Sequence, residues 1–202
     1  EPPELAALKA FERPVRIVGA GTELAWEGQQ GQKAFILASG WVSSYKGLRD
    51  GSRQIVDFQV PGDFIGVRNM LFRTSEHSFE TITDVALSEV MVDDFFAVFS
   101  GAPRVATAIL WALSCEEAMV VEHLVDIGRR SALVRTAHFL LELGARLRLV
   151  GLASADGYDC PLTQYLLADA LGLSAIHLNR VLRQLRETGL LTFRDGGVRF
   201  DD

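Results

Sequence analysis

The sequence predicts an α+β chain in which a strand-rich N-terminal part precedes a long helix and a small C-terminal unit. Three observations support this prediction. Short alternations of apolar and polar residues, separated by glycines, run from about residue 15 to 95. A helical period of about 3.6 residues replaces them after Pro103, and two short amphipathic runs meet at Gly172.

Composition is that of a packed globular protein. Of the 202 residues, 49% are hydrophobic and 23% are charged, enough for one large domain or two small ones. No apolar run approaches the roughly 18 residues of a membrane-spanning helix, so no membrane partner is expected. Cys115 and Cys160 are far apart, which argues against a disulfide framework or a cysteine-ligated metal and favours a reducing cytoplasm.

Charge is distributed unevenly along the chain. The net charge of −6 argues at first against a nucleic-acid partner. Residues 1–127 hold 10 basic and 18 acidic side chains, whereas residues 128–202 hold 10 and 8, and every basic residue there is arginine. The C-terminal part is therefore the better candidate for a surface that faces phosphates.

Strand signals are clearest in the first half of the chain. The segments AFILASGWVSSYKGL and RQIVDFQV alternate as half-buried strands do, and Arg49-Asp50-Gly51 between them is a hairpin signal. Many short strands at this spacing predict a sandwich, a roll or a barrel.

A long helix is predicted to begin at Pro103, because residues 104 to about 127 contain neither glycine nor proline. Its apolar residues form two neighbouring stripes, which suit two partners, the β domain and a second copy of the helix. A single broad buried face explains the pattern equally well. The stripe assigned to a homodimer interface is Ala106, Leu110, Leu113, Glu117, Val120, Leu124 and Ile127.

Gly128 is predicted to end the long helix before SALVRTAHFLLELGARLRLV forms the next one. The hinge is placed at 127–131, which gives two domains, 1–127 and 128–202. Residues 151–161 are predicted to form a loop.

The C-terminal unit fits a helix-turn-helix. Thr163 and Ser174 are placed to cap two helices, and Gly172 allows the positive φ of the turn between them. Counting from Gln164, a small residue stands at the fifth position, glycine at the ninth and aliphatic residues at the fifteenth and eighteenth. The following LLTFRDGGVRF predicts a hairpin, and hence a wing.

The second helix of this unit predicts a DNA-binding face. Arg180 is the best candidate for a bidentate contact to guanine, and His177 for a contact that gives the protein its own preference. The alternative is that Arg183 and Arg186 are only solvated charges or phosphate contacts. The residues assigned to DNA are Thr163, Gln164, Ser174, Ala175, Ile176, His177, Asn179, Arg180, Arg183 and Arg194.

With these parts in this order, the chain resembles the CRP/FNR family of bacterial transcription regulators over essentially all its residues. The strongest marks are AWEGQQGQKAFILASGWV, PGDFIG, GRRSALVRTAHFLLEL and LTQYLLADALGLSAIHLNRVLRQLRETGLL. The resemblance implies an N-terminal antiparallel β-roll like a cyclic-nucleotide-binding domain, a dimerisation helix and a C-terminal winged helix-turn-helix. It also implies a homodimer that binds a two-fold symmetric duplex site, with half-sites about one helical turn (~10 bp) apart.

The chain departs from the family's frequent recognition pattern, which is Arg-Glu-x-x-x-Arg after the capping serine. Here the six residues are Ala175-Ile176-His177-Leu178-Asn179-Arg180, so only the last arginine is kept. Ile176 cannot accept a hydrogen bond from cytosine but can pack on a thymine methyl group. We therefore expect a half-site different from that of the cyclic-AMP receptor.

The effector pocket that the resemblance implies is also altered. In the cyclic-AMP receptors an acid directly after the second glycine of PGDFIG holds the ribose, and an Arg-Ser or Arg-Thr pair holds the phosphate. Val67 and His77 stand at the acid and arginine positions here, so control by cyclic AMP is not expected, although Arg68 and Arg73 could substitute from displaced positions. The pocket residues are predicted to be Phe64, Ile65, Gly66, Arg68, His77, Ser78, Glu122 and His123.

Three other hypotheses stay open. A haem-dependent sensor could use His77 and His123 as axial ligands, and a sensor of another small ligand is a further alternative, although no cofactor is predicted. A ligand-sensing module that binds protein instead of DNA would leave the wing and the exposed arginines unexplained. An enzyme is not expected, because the four histidines show no HxH spacing and no P-loop, GxSxG or GxGxxG is present. RNA polymerase is a partner if the protein activates transcription.

Overall fold

A computed structural model describes residues 3–11, 14–31, 33–72 and 74–201 of the chain. It divides into two compact units, one formed by Glu1–Lys46 with Phe58–Val120 and the other by Gly47–Asp57 with Val121–Asp202. Along the long helix, the first unit ends at Val120 and the second begins at Val121, whereas the predicted boundary is at 127. The grouping of a short segment around residue 50 with the C-terminal unit was not predicted.

Strands dominate the first part of the chain, as predicted. Its elements are α1 (Pro3–Phe11), β1 (Arg16–Val18), β2 (Glu23–Ala25), β3 (Ala34–Ser39), β4 (Val42–Gly47), β5 (Arg53–Gln59), β6 (Phe64–Ile65), α2 (Val67–Leu71), β7 (Ser78–Thr81), β8 (Val85–Val90), α3 (Val92–Gly101) and α4 (Pro103–Arg129). Two four-stranded sheets have the orders β1-β8-β3-β6 and β2-β7-β4-β5, and the pairs β3–β8 and β4–β7 are antiparallel. The predicted antiparallel β-roll is confirmed, whereas α1, α2 and α3 were not predicted.

Two apolar clusters lie in the core of the first unit, among the residues that the structure describes. One contains residues of both sheets, among them Leu37 on β3 and Phe79 on β7. The other joins α2, α3 and the start of α4, where Val67, Phe95 and Ile109 are buried together. The first turns of α4 are therefore part of the core of the β-rich unit.

The long helix begins at Pro103, as predicted, but Gly128 does not end it. The helix continues to Arg129, and α5 begins at Ala132. A single glycine costs a helix only about 1 kcal/mol relative to alanine. The chain breaks at 130–131 instead, where the Ser131 hydroxyl accepts a hydrogen bond from the backbone N–H of Val134 and caps α5.

The C-terminal elements are α5 (Ala132–Leu149), β9 (Gly157–Asp159), α6 (Gln164–Leu171), α7 (Ala175–Glu187), β10 (Leu191–Arg194) and β11 (Gly197–Phe200). The prediction of a loop over 151–161 was wrong at β9, which pairs with β11 in a three-stranded sheet of order β10-β11-β9. The cause is Tyr158, which is buried and whose hydroxyl donates to the carbonyl oxygen of Leu140 over 2.7 Å. The wing therefore rests on a third strand that is tied to α5.

No single helix among the described residues has both the length and the hydropathy that a membrane span requires. The pair α3 and α4 meets them together by length and composition, with a bend of 116° between the two.

Candidate nucleic-acid interface

The turn between α6 and α7 has the predicted caps. The Thr163 hydroxyl accepts from the N–H of Leu166 over 3.2 Å, and the Ser174 hydroxyl accepts from the N–H of His177 over 3.2 Å. Gly172 ends α6 with φ at 61°, in the left-handed region that favours glycine. The chain thus leaves one helix and enters the next with these backbone groups satisfied.

Apolar side chains fix α7 against the rest of the unit. The buried residues of the two helices are Leu167, Ala168, Leu171, Leu178, Val181, Leu182 and Leu185. Ala168, Leu178 and Val181 occupy the predicted small and aliphatic positions, and Leu173 is half-buried. Since one stripe of α7 is committed to the core, its opposite face is left to solvent.

The exposed face of α7 carries five of the ten residues assigned to DNA. His177, Asn179, Arg180 and Arg183 are exposed, and 71% of the large apolar Ile176 is exposed. Ala175 is half-buried. Tyr165 on α6 is 74% exposed but was not among the residues assigned to DNA. Its position directly after Thr163 and Gln164, which were assigned, is the signal that could have included it.

Gln164 and Asn179 are brought together by the crossing of the two helices. Asn179 Nδ2 donates to Gln164 Oε1 over 3.0 Å. Both residues were predicted to face DNA, but their pairing was not, because nothing in a spacing of fifteen residues shows which side chains meet.

The outer arginines form only solvated ion pairs. Arg183 Nε lies 3.8 Å from Glu187 Oε1 one turn further along α7, and the two side chains are 61% and 66% exposed. Arg194 Nε on the wing lies 3.6 Å from Asp195 Oδ2. Exposed pairs of this kind contribute about 0–1 kcal/mol, so either arginine can exchange its carboxylate for a phosphate.

The segment 47–57 supports α6. Arg53 Nε donates to Asp169 Oδ2 over 3.0 Å, and Gln54 Nε2 donates to the carbonyl oxygen of Ala170 over 3.0 Å. The second bond satisfies a carbonyl in the last turn of α6, where the helix itself supplies no donor. The hairpin at Arg49-Asp50-Gly51 was predicted, whereas the contacts of its second strand with α6 were not.

A partly buried charge cluster joins α4, α5 and the end of this segment. Arg146 Nη1 and Nη2 donate to the two carboxylate oxygens of Asp57 over 2.8 and 3.3 Å, and Arg146 Nη1 lies 3.5 Å from Glu142 Oε1. His123 Nε2 lies 2.6 Å from Glu142 Oε2. Burial alone would lower the pKa of His123, but the hydrogen bond to Glu142 and the charges of Glu142, Asp57 and Asp126 outweigh it, so the pKa is raised.

A second cluster lies at the end of α4. The Asp126 side chain is 4% exposed, and its oxygens lie 2.6 Å from Arg130 Nη1 and 2.7 Å from His138 Nδ1. Arg130 Nη2 also donates to Glu122 Oε2 over 2.8 Å. These contacts fix the break between α4 and α5.

Comparisons with known proteins agree on the family. Residues 15–109 match the cyclic nucleotide-binding domain, and residues 134–202 match the Crp-like helix-turn-helix domain. The chain is 31% identical over 193 residues to the nitrogen fixation regulation protein FixK of Azorhizobium caulinodans, covering 89% of this chain and 75% of that protein. It is 32% identical over 183 residues to FixK of Rhizobium meliloti, covering 87% and 76%. The chain belongs to the CRP/FNR family. Its fold superposes on FixK2 from Bradyrhizobium japonicum with a TM-score of 0.83 and 27% identity, over 94% of this chain and 92% of that one.

Membership of the CRP/FNR family makes the chain a transcription regulator with a helix-turn-helix DNA-binding domain. Regulators of this family bind DNA and act as dimers. The relatives found are regulators and not enzymes. Within the described part of the chain, no three His, Cys, Asp or Glu side chains are grouped so that they could hold a metal ion.

The residues at the effector positions of the CRP/FNR fold are mostly engaged with the protein. Val67 is 5% exposed and packs in the core, as does Ile65, while Phe64 is half-buried against it. Arg68 Nη1 lies 3.6 Å from Glu76 Oε2, with both side chains about half exposed. Gly66 caps α2, and Arg73 lies outside the described residues.

His77 and Ser78 are poor substitutes for an anion-binding pair. Burial, and secondarily the charge of Lys46, lower the pKa of His77, so its ring is neutral near pH 7. Ser78 is buried, and its hydroxyl accepts a hydrogen bond from the N–H of Glu27 over 3.0 Å. Of the two remaining predicted pocket residues, both in the second unit, Glu122 is paired with Arg130 and His123 with Glu142.

The predicted dimer stripe is partly exposed on α4. Leu110 and Leu124 are 54% and 70% exposed, Val120 and Ile127 are 39% and 43%, and Glu117 is exposed. The assignment of Ala106 to the dimer stripe is corrected, because this residue is 7% exposed and packs in the core of the first unit. Leu113 packs partly against the same cluster. The exposed apolar face also includes residues that were not assigned to the stripe, namely Trp111, Val121 and Val125.

Proposed function

We propose that this regulator binds, as a homodimer, a two-fold symmetric duplex DNA site with one α7 in each of two successive major grooves. The observation that carries the proposal is the exposed face of α7, where Arg180 and Asn179 project from a helix whose other face is anchored in the core. Arg180 is the residue that contacts guanine, through the bidentate match of a guanidinium to the O6 and N7 atoms. Arg183 and Arg194 contact phosphates and set the position of the protein without specifying sequence.

The test is selection of bound sequences from random duplex DNA with the purified full chain, followed by affinity measurement on the enriched site. We expect a palindrome with half-sites about one helical turn (~10 bp) apart. Arg180→Ala should relax the choice of base at one position per half-site, at about 1–3 kcal/mol each. Arg104→Ala, which removes an exposed arginine on α4 of the first unit, is the matched control and should leave the sequence choice unchanged. Equal weakening on every sequence by Arg180→Ala would contradict the guanine contact.

Salt dependence separates this proposal from a module that binds only protein. Each phosphate that an arginine neutralises releases counterions, so affinity for duplex DNA should fall steeply with salt concentration. Arg183→Ala and Arg194→Ala should each lower that slope by about one. A chain that shows neither an enriched sequence nor salt-dependent binding is not a DNA-binding regulator.

Control of this binding does not depend on cyclic AMP. The support is chemical: Val67 is an apolar core residue where a ribose ligand is expected, and His77 is neutral where a phosphate needs a fixed positive charge. The His123 Nε2 atom is occupied by Glu142, which also disfavours this histidine as a haem ligand. We expect cyclic AMP to leave the affinity for the selected site unchanged and the purified protein to show no haem absorbance. A shift in affinity at micromolar cyclic AMP would overturn this point.

RNA polymerase is the further partner we propose. Relatives include a protein named transcriptional activator FnrL of Cereibacter sphaeroides, 25% identical over 191 residues and 93% of this chain. Transcription from a promoter that carries the selected site upstream, with purified polymerase, should rise when the protein is added. A fall in transcription would indicate repression without such a contact.

A further inference from the structure

The hydrogen bond between Asn179 and Gln164 determines what Asn179 can offer to DNA. Asn179 is exposed on α7, and Gln164, the first residue of α6, is half-buried. A carboxamide carries one acceptor oxygen and two N–H donors. Because one N–H of Asn179 is donated to Gln164 Oε1 over 3.0 Å, the oxygen Oδ1 and the second N–H are left for a ligand.

This pair of groups matches one base edge in the major groove. Adenine presents the N6 donor beside the N7 acceptor, and asparagine binds the two together. We infer that Asn179 recognises an adenine in each half-site and that Gln164 is the positioning residue that sets the orientation of its carboxamide. The inference rests on the proposed function, since it requires α7 to lie in the major groove.

The orientation of Asn179 needs a support because an asparagine carboxamide can turn over and exchange its oxygen and nitrogen. The carboxamide of Gln164 can turn as well, but DNA removes that freedom. Gln164 is at the N-terminal end of α6, and side chains at such positions contact the DNA backbone. A phosphate oxygen only accepts hydrogen bonds, so it takes Gln164 Nε2 as donor and leaves Oε1 facing Asn179. The backbone contact thereby fixes which base Asn179 prefers.

Ala175 gives this arrangement its space. It lies one turn before Asn179 on the same side of α7 and is half-buried. The family's frequent pattern has an arginine at this position, directly after the capping serine. A long side chain there would lie beside Asn179, one turn away on α7, whereas the methyl group of alanine leaves that space open. The alanine at 175 therefore leaves room for the carboxamide of Asn179 one turn later.

The experiment compares four full-length proteins on DNA: the unaltered chain, Gln164→Ala, Asn179→Ala and the double variant. Sequences are selected from random duplexes, and affinities are then measured for the selected site with each of the four bases at every position. We expect the unaltered chain to prefer adenine at one position per half-site. Gln164→Ala should reduce that preference on the order of fivefold or more, and Asn179→Ala should abolish it. In the Asn179→Ala background, loss of Gln164 should have no further effect at that position.

Two more variants separate positioning from a simple backbone contact. Gln164→Glu keeps an acceptor for Asn179 but repels phosphate, so the adenine preference should persist while affinity falls on all sequences. Gln184→Ala, which removes an exposed glutamine further along α7, is the control and should leave the preference unchanged. Equal weakening of all sequences by Gln164→Ala, or a preference at the Asn179 position for another base, would overturn the inference alone. Failure of the unaltered chain to select any sequence would overturn the proposed function and the inference with it.

Discussion

Replacing Arg146 by methionine should be one of the most damaging single changes in the second unit. The Asp57 side chain is 6% exposed and that of Arg146 is 20% exposed, and two hydrogen bonds join them. Arg146 also lies 3.5 Å from Glu142, so its loss leaves two carboxylates with less positive charge in a buried place. Removing one partner of a buried ion pair typically costs about 3–5 kcal/mol. Asp57→Asn should cost less, about 1–3 kcal/mol, because Arg146 keeps Glu142.

The assay is urea unfolding followed by far-ultraviolet circular dichroism. Fluorescence is less suitable, because Trp26, Trp41 and Trp111 all belong to the first unit. Lys46→Met is the control, since the Lys46–Glu27 pair spans a similar 2.8 Å but its side chains are 39% and 44% exposed. Such a pair contributes about 0–1 kcal/mol. If Arg146→Met lowers the free energy of unfolding no more than Lys46→Met does, burial does not determine how much these ion pairs stabilise the protein, and the prediction is wrong.

Three further predictions concern the same unit. The pKa of His123 is raised in the folded protein, so its contribution to stability is complete below the ordinary histidine pKa of about 6.5 and is lost as pH rises through the higher folded value. The difference in unfolding free energy between the unaltered chain and His123→Gln should therefore shrink over that interval. A difference that stays constant with pH would contradict this prediction. Tyr158→Phe removes a buried bond to the Leu140 carbonyl and should cost about 1–3 kcal/mol in urea unfolding, with near-zero cost as the opposing result. Ser174→Ala removes the cap of α7 and should cost about 1 kcal/mol, and Ser174→Asp should restore most of it.

The parts of the fold that the sequence predicted are those set by residues close together in the chain. The caps Thr163 and Ser174, the turn at Gly172 and the buried stripe of α7 each depend on a residue type within a few positions of the group it serves. The hairpins at Asp50-Gly51 and Asp195-Gly196 are local in the same way. These features also position the residues assigned to DNA, which explains why the framework of the candidate interface could be predicted.

Contacts between distant residues could not be predicted. Asp57 and Arg146 are 89 positions apart, and Arg53 and Asp169 are 116 apart. From a single sequence a charged residue is predicted to be exposed to solvent, because charged groups are almost never fully buried unless they are paired. The partner that would allow burial is known only from the three-dimensional structure. The strand β9 was not predicted for a related reason. Its three residues are too few to show an alternation of apolar and polar residues, and Tyr158 is held by a hydrogen bond to the distant carbonyl oxygen of Leu140.

The long helix shows where a helical pattern by itself becomes ambiguous. Apolar residues recur on α4 with one period, but the first turns pack into the β-rich unit, so Ala106 is inside while Leu110, only one turn later, is 54% exposed. Further along, Asp126 is buried with its ion pairs, and apolar Leu124 is 70% exposed. Polarity alone would have placed these last two residues the other way round. A large exposed apolar face marks a surface that another molecule can cover, and regulators of this family act as dimers. The pairing of this face of α4 with a second copy of the helix stays a prediction.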